Sequence, residues 1–197
     1  MQLIEKKLPI PSQLQSILND IRSCIANKLY YPALLIALTL PEICSALEVD
    51  DSVFIKEKQY AAFVDKYAPL EVLNISGQNC YRLRGGVVHR GNAAGHPHIG
   101  ASHVIFYVPE SPSLIHGISV EVNGKRAANF DLIRFCEGMI SAVEKWFVDH
   151  KDKSMVNQNI PRLLSLRLNG IAPFVTGGPV VGSGEDGFGP SAFMFGK

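Results

Sequence analysis

The longest amphipathic pattern in the chain runs from about Asn129 or Asp131 to His150, and it constrains the fold more than any other feature. Apolar residues recur there every three or four positions: Leu132, Phe135, Cys136, Met139, Ile140, Val143, Trp146 and Phe147. This spacing predicts a long α-helix with a broad buried face. A chain of 197 residues, of which 47% are hydrophobic, is long enough to cover that face within one domain.

Three earlier segments have the same helical periodicity, so the chain is predicted to be mainly α, a helical bundle. They span residues 12–28, 32–48 and 56–67. The middle segment is apolar on nearly every side, and we therefore expect it at the centre of the bundle. Pro41 lies inside it, and because proline lacks the backbone N–H group we expect a break or kink there.

A small β element is predicted between the helices. Residues 103–108 and 114–122 are rich in β-branched and aromatic side chains, and Asn123-Gly124 is a strong hairpin turn signal. We expect a small antiparallel β-hairpin inserted into the helical fold. Residues 163–168 fit either a short helix or a strand, because apolar residues occur there at both spacings.

The chain changes character after Asn169. Residues 170–197 contain eight glycines and three prolines, with phenylalanines among them. Such a composition predicts an irregular Gly-rich C-terminal arm, either packed on the domain through its aromatic residues or disordered. The predicted division is therefore a helical domain over residues 1–169 and a Gly/Pro-rich arm over residues 170–197.

Charge is unevenly distributed along the chain. The net charge of +1 gives no general attraction to nucleic acid or to membranes. Between Val72 and Pro109, however, there is no Asp or Glu, and this window holds three arginines and four of the six histidines. Residues 39–71, directly before it, carry seven acidic residues and three lysines. The window is therefore the one place where the sequence points to chemistry.

Within the window, residues 76–91 are predicted to form a short helix, capped by Ser76 and ended by Gly91. It carries Arg82, Arg84, His89 and Arg90.

Helical geometry does not decide which arginine accompanies the histidine. Arg82 and His89 are seven positions apart and share a face, whereas Arg84 and His89 are five apart and lie well off one face. Gly85-Gly86 can loosen the turn between them. Both arginines therefore remain candidates.

An arginine and a histidine on one surface suit acid–base chemistry on a phosphodiester. The guanidinium binds the phosphate and stabilises the negative charge of the transition state. The imidazole accepts or donates a proton near neutral pH. RNA supplies its own nucleophile, the ribose 2′-hydroxyl, so neither a metal nor another cofactor is expected. One pair makes a sparse site, and a homodimer would double it.

The segment Arg84-Gly-Gly-Val-Val-His89 resembles the arginine–histidine motif of the HEPN superfamily, and Arg82 to His89 fits the longer spacing of that motif. Residues 38–48 and 80–91 are similar to a group of uncharacterised bacterial proteins of this kind. The resemblance covers residues 12–150. Gly85 stands where many active members carry a polar residue.

The resemblance implies an α-helical bundle that dimerises through the motif region. In active members it implies metal-independent RNA cleavage within toxin–antitoxin, abortive-infection or other defence systems. Arg84 and His89 would be the catalytic pair, with Arg82 and Arg90 as substrate-binding residues. Its partners would be a second copy of the chain, RNA, and an antitoxin or other protein.

Two other interpretations remain open. The protein would be a non-catalytic dimeric interaction module of the same fold if Arg82 and Arg84 pair with the acidic residues 39–71 and His89 is a buried or helix-terminal histidine near the C-cap of its helix. A third, weaker possibility is a divalent metal held by His96, His98 and His103.

Cysteine usage and hydropathy place the chain in the cytoplasm. The four cysteines are far apart and form no Cys-x-x-Cys motif, so we expect buried, reduced thiols. The segment after Met1 lacks the apolar core of a signal peptide. Residues 29–40 form the most apolar run, which is too short to span a bilayer of about 30 Å. No membrane association is therefore expected.

Overall fold

The computed structural model describes residues 10–68, 70–93, 99–108 and 115–183, and over these residues the protein is mainly α. The α-helices are α1 (Ser12–Ala26), α2 (Tyr30–Leu47), α3 (Glu57–Tyr67), α4 (Leu70–Leu73), α5 (Gly77–Arg90), α6 (Leu132–His150) and α7 (Ser154–Asn159). The predicted helices over residues 12–28, 32–48, 56–67, 76–91 and 131–150 are all present, with ends shifted by a few residues.

Helix α2 lies at the centre of the helical part, as its uniform apolarity predicted. It contacts α1, α3, α5 and α6, and Leu38, Leu40 and Cys44 have no exposed surface. Of the break or kink expected at Pro41, the break is absent, because one helix runs through that residue from Tyr30 to Leu47. Pro41 is buried, and the packing of α2 against its neighbours supports the helix despite the missing backbone donor.

Among the described residues, α2 is the one helix whose length and apolar composition would allow it to cross a membrane. Half of this 18-residue stretch is buried inside the protein. Core helices of soluble proteins pass the same test.

Helix α6 supplies the other large part of the core. Asp131 caps its first turn, accepting a hydrogen bond from the backbone N–H group of Arg134 at 3.0 Å. Phe135, Met139 and Trp146 on its buried face have no exposed surface. The broad apolar face predicted from the sequence is therefore covered, mainly by α2.

The C-terminal ends of α2 and α6 are joined by a cluster around Glu48. Its carboxylate accepts a hydrogen bond from Trp146 Nε1 at 2.8 Å and lies 3.0 Å from His150 Nε2. The imidazole of His150 stacks on the Trp146 ring and is also bonded, through Nδ1, to the Trp146 carbonyl at 2.8 Å. Both ring nitrogens are thus engaged within the fold, and the cluster acts as a structural link.

A three-stranded sheet packs against α6, with strands β1 (His103–Tyr107), β2 (Ile118–Val122) and β3 (Lys125–Asp131) in the order β1-β3-β2. Strands β2 and β3 form the predicted antiparallel hairpin, whose turn residues Asn123 and Gly124 both have positive φ. Strand β1 is a third strand that the hairpin prediction did not include, and it pairs with β3 in parallel. The sheet is therefore mixed, and β1 lies on the open edge of β3.

Short elements follow α7. A 3-10 helix (Ile160–Arg162) precedes β4 (Ser165–Arg167), which resolves the ambiguous segment 163–168 as a strand. Three more strands lie in the predicted arm, β5 (Gly170–Ile171), β6 (Val175–Thr176) and β7 (Val180–Gly182). Strand β7 of the arm pairs with β4, which precedes the arm, so residues 180–182 are hydrogen-bonded to the helical domain's last strand. Residues 184–197 of the arm lie outside the described residues.

Candidate functional site

Helix α5 carries the candidate site, and its ends are set by local chemistry. Ser76 Oγ accepts a hydrogen bond from the backbone N–H group of Asn79 at 3.3 Å. Gly91 ends the helix with φ of 62°, a left-handed conformation that glycine adopts without strain. Both boundary predictions are confirmed.

Arg84 and His89 are in direct contact on this helix. Arg84 Nη1 lies 3.0 Å from His89 Nε2, although the two residues are five positions apart. The helical wheel placed them well off one face, but it describes the direction of Cβ and not the reach of a long side chain. Gly85 lies between them on the wheel, and a Cβ added there would meet no atom within 4 Å. The helix surface is therefore open at Gly85, and the length of the arginine side chain brings its guanidinium to the imidazole.

The contact gives each side chain a role as donor or acceptor. An arginine only donates hydrogen bonds, so in this contact His89 Nε2 is the acceptor. His89 is exposed to solvent, whereas the Arg84 side chain is only 14% exposed. The pair thus presents a solvent-accessible imidazole backed by a largely buried guanidinium.

Glu42 of α2 holds the other end of the Arg84 guanidinium through an ion pair with Nη2. The carboxylate is 31% exposed, so both charges are largely removed from water. Arg84 Nε is buried without a hydrogen-bond partner among the described residues. One guanidinium nitrogen therefore contacts Glu42, another contacts His89, and a third has unused donor capacity.

Arg82 points toward a different neighbour. Its Nη1 donates to Asn79 Oδ1 at 3.3 Å, and its Nη2 lies 3.7 Å from Glu57 of α3. The structure therefore brings Arg84, and not Arg82, to His89. Arg90 is exposed and follows His89 in the last turn of α5.

The pairing of the two arginines with acidic residues of segment 39–71 agrees with the interaction-module interpretation. Glu42 and Glu57 both belong to that segment and meet Arg84 and Arg82 respectively. His89 is helix-terminal, as that interpretation allows, because it lies in the last turn of α5 near Gly91, but it is exposed and not buried. The two pairs fix α5 against α2 and α3 and leave the imidazole accessible.

Sequence reasoning missed two residues of this region, Glu42 and Tyr31. The Tyr31 hydroxyl donates to the Val87 carbonyl of α5 at 3.4 Å, and the side chain is 52% exposed. Both residues come from α2, some forty or more positions before the histidine. The charge contrast between segment 39–71 and the basic window was the available signal for Glu42, whereas no local signal identified Tyr31.

The histidines proposed as metal ligands do not form a described site. His96 and His98 lie outside the described residues. His103 Nδ1 is 3.1 Å from Ser102 Oγ. Within the described ranges, no group of three or more His, Cys, Asp or Glu side chains is arranged to hold a metal ion.

The cysteines near α5 are structural. Cys80 lies on its buried side, 3.5 Å from the Tyr60 hydroxyl, and burial raises the pKa of its thiol to about 12. Cys44 and Cys136 are also buried and free, and Cys24 is half-buried. A thiol with such a raised pKa is a poor nucleophile near neutral pH.

Comparison of the chain with models of known families, with curated proteins and with solved structures gave no match.

Proposed function

We propose that the protein is a metal-independent endoribonuclease of HEPN-like type, in which Arg84 and His89 form the catalytic pair. The observation that carries the proposal is the 3.0 Å contact between Arg84 Nη1 and His89 Nε2, with the imidazole exposed. A helical bundle, a homodimer and a cytoplasmic role in bacterial defence or stress, with an antitoxin or other protein partner, belong to the same proposal.

The geometry supports a simple reaction sequence. An incoming phosphate competes for the Arg84 guanidinium, whose contacts with phosphate oxygens are charge-assisted. When Arg84 turns to the phosphate, the Nε2 lone pair of His89 is released. It then accepts the proton of the ribose 2′-hydroxyl, whose oxygen attacks phosphorus and forms a cyclic phosphate while the bond to the 5′-oxygen breaks.

The leaving 5′-oxygen needs a proton, and in the proposed homodimer the His89 of the second copy, protonated at Nε2 and turned away from its own Arg84, donates that proton and becomes neutral. Arg84 stabilises the charge that builds on the phosphate oxygens during the transfer. Glu42 keeps the guanidinium beside His89 before substrate arrives, so it is a positioning residue. Arg90, exposed in the last turn, is the neighbouring cation for the RNA backbone.

Incubation of total RNA in EDTA tests the proposal with four proteins. Wild type is expected to cleave, and His89→Ala and Arg84→Ala to cleave at least about 100-fold more slowly, as expected for loss of acid–base and electrostatic contributions. Arg162→Ala is the matched control, because it also removes an arginine that forms an ion pair, but this arginine is exposed, pairs with Asp51 and lies outside α5. Equal cleavage by all four proteins would reject the site.

A second candidate is a non-catalytic dimeric interaction module of HEPN-like fold. The ion pair between Arg84 and Glu42 favours it, since this contact by itself explains a largely buried arginine on α5. This candidate predicts no cleavage by any of the proteins. It also predicts that Glu42→Ala and Arg84→Ala lower stability to a similar extent.

A further inference from the structure

Tyr31 lies against the last turn of the helix that carries the candidate site. Its hydroxyl donates to the Val87 carbonyl at 3.4 Å, one of the carbonyls at the C-terminal end of α5 that have no partner within the helix. A Cβ added at Gly91 would lie 3.9 Å from the same hydroxyl. The hydroxyl therefore lies at the C-terminal end of α5, the end that carries His89 and Arg90.

About half of the surface of Tyr31 remains exposed to solvent. Tyr31 is 52% exposed, whereas the adjacent Tyr30 is partly buried and packs against the hydrophobic core. The contact at Val87 involves the hydroxyl, and about half of the residue's surface is accessible to a ligand. A half-exposed aromatic ring is a suitable platform for a nucleobase.

The charge around the ring favours the same ligand. His89 and Arg90 are the basic residues of the last turn of α5, and both are exposed. Lys28, three positions before Tyr31, is exposed as well. Proteins that bind single-stranded nucleic acid combine basic residues that track phosphates with aromatic rings that stack on bases.

We infer that Tyr31 is a base-binding residue of the candidate site, with its ring stacked on an unpaired nucleobase of the RNA whose phosphate meets Arg84. This inference rests on the proposed function. It adds a contact with the base to a site otherwise built for the phosphate and ribose. It also requires an unstacked base next to the reacting phosphate, so a base held within a duplex is excluded.

Binding is measured separately from cleavage to test it. The probe is a fluorescent 2′-O-methyl oligoadenylate of about twelve nucleotides, long enough to occupy a single-strand site and lacking the 2′-hydroxyl nucleophile. Fluorescence anisotropy in EDTA gives Kd for wild type, Tyr31→Leu, Tyr31→Phe and Tyr107→Leu. Tyr107 is the matched control, a tyrosine that is 43% exposed on β1.

Tyr31→Leu should weaken binding roughly 5- to 150-fold, the range expected for loss of one base–aromatic stack. Tyr31→Phe should stay within about threefold of wild type, since it keeps the ring. Tyr107→Leu should bind as wild type does. A urea unfolding curve for each variant shows that the protein tested is folded.

Two results would overturn the inference. One is a Kd for Tyr31→Leu equal to that of wild type. The other is a loss of binding in Tyr31→Phe, or in Tyr107→Leu, that equals the loss in Tyr31→Leu. Failure of the proposed function looks different. If the probe binds through Tyr31 but total RNA is not cleaved, the base contact stands and catalysis is rejected. If wild type does not bind the probe, the base contact is rejected, and the cleavage of total RNA decides on catalysis separately.

Discussion

Replacing Glu42 by alanine should destabilise the protein through the charge that it leaves behind. Arg84 is 14% exposed and Glu42 is 31% exposed, so their ion pair lies between a surface pair and a buried one. Removing one partner of a fully buried pair costs about 3–5 kcal/mol, whereas a surface pair contributes about 0–1 kcal/mol. For this pair we expect a loss of roughly 2 kcal/mol of unfolding free energy.

Urea unfolding at neutral pH measures the effect, and a double-mutant cycle assigns it to the pair. In an Arg84→Met background the charge is absent, so Glu42→Ala should cost much less than in wild type. Asp51→Ala is the control, because it breaks an ion pair with Arg162 whose side chains are 70% and 51% exposed. Equal losses in Glu42→Ala and Asp51→Ala, or the same loss from Glu42→Ala in both backgrounds, would refute the reasoning.

Three further predictions follow from the same structure. Gly85→Ala should raise the unfolding free energy by about 0.5–1 kcal/mol, because a Cβ added there meets no other atom. Gly86→Ala should lower it, because a Cβ added there would lie 2.9 Å from the Asn92 carbonyl oxygen. Urea unfolding of the two variants measures both changes, and a change of the same sign in both would contradict this. Burial lowers the pKa of His116, so the unfolded chain takes up a proton before the folded protein does as pH falls below about 6.5. The unfolding free energy should therefore fall toward acid pH, and it should fall less steeply in His116→Gln. Parallel profiles of unfolding free energy against pH for the two proteins would refute this. Alkylation of the native protein with iodoacetamide near pH 8, followed by mass spectrometry, should modify Cys24 before the three buried cysteines, and early modification of any of those would contradict their assigned burial.

The helices and the limits of α5 were predictable because their signals are local. Ser76 and Gly91 act within one turn of the residues that they cap, so their types determine the boundary. The apolar face of α6 was equally visible, since its periodicity belongs to a single segment. Such features depend little on what the rest of the chain does.

Features that depend on packing between distant segments were missed or wrong. The parallel pairing of β1 with β3 requires a choice of neighbour that the hairpin signal does not encode. The continuous helix through Pro41 is supported by the packing of α2 against its neighbours, which overrides local preference. Tyr31 and Glu42 contact α5 only because α2 packs beside it, so no pattern within residues 76–91 indicates these two contacts.

The proposed reaction requires the ribose 2′-hydroxyl as the nucleophile, and one substitution in the substrate tests that directly. An RNA oligonucleotide that wild type cleaves at a single position in EDTA is compared with the same oligonucleotide carrying 2′-deoxyribose on the 5′ side of that position. The account predicts a product ending in a 2′,3′-cyclic phosphate from the first and no cleavage at that position in the second. Cleavage of the deoxy-substituted bond would contradict it.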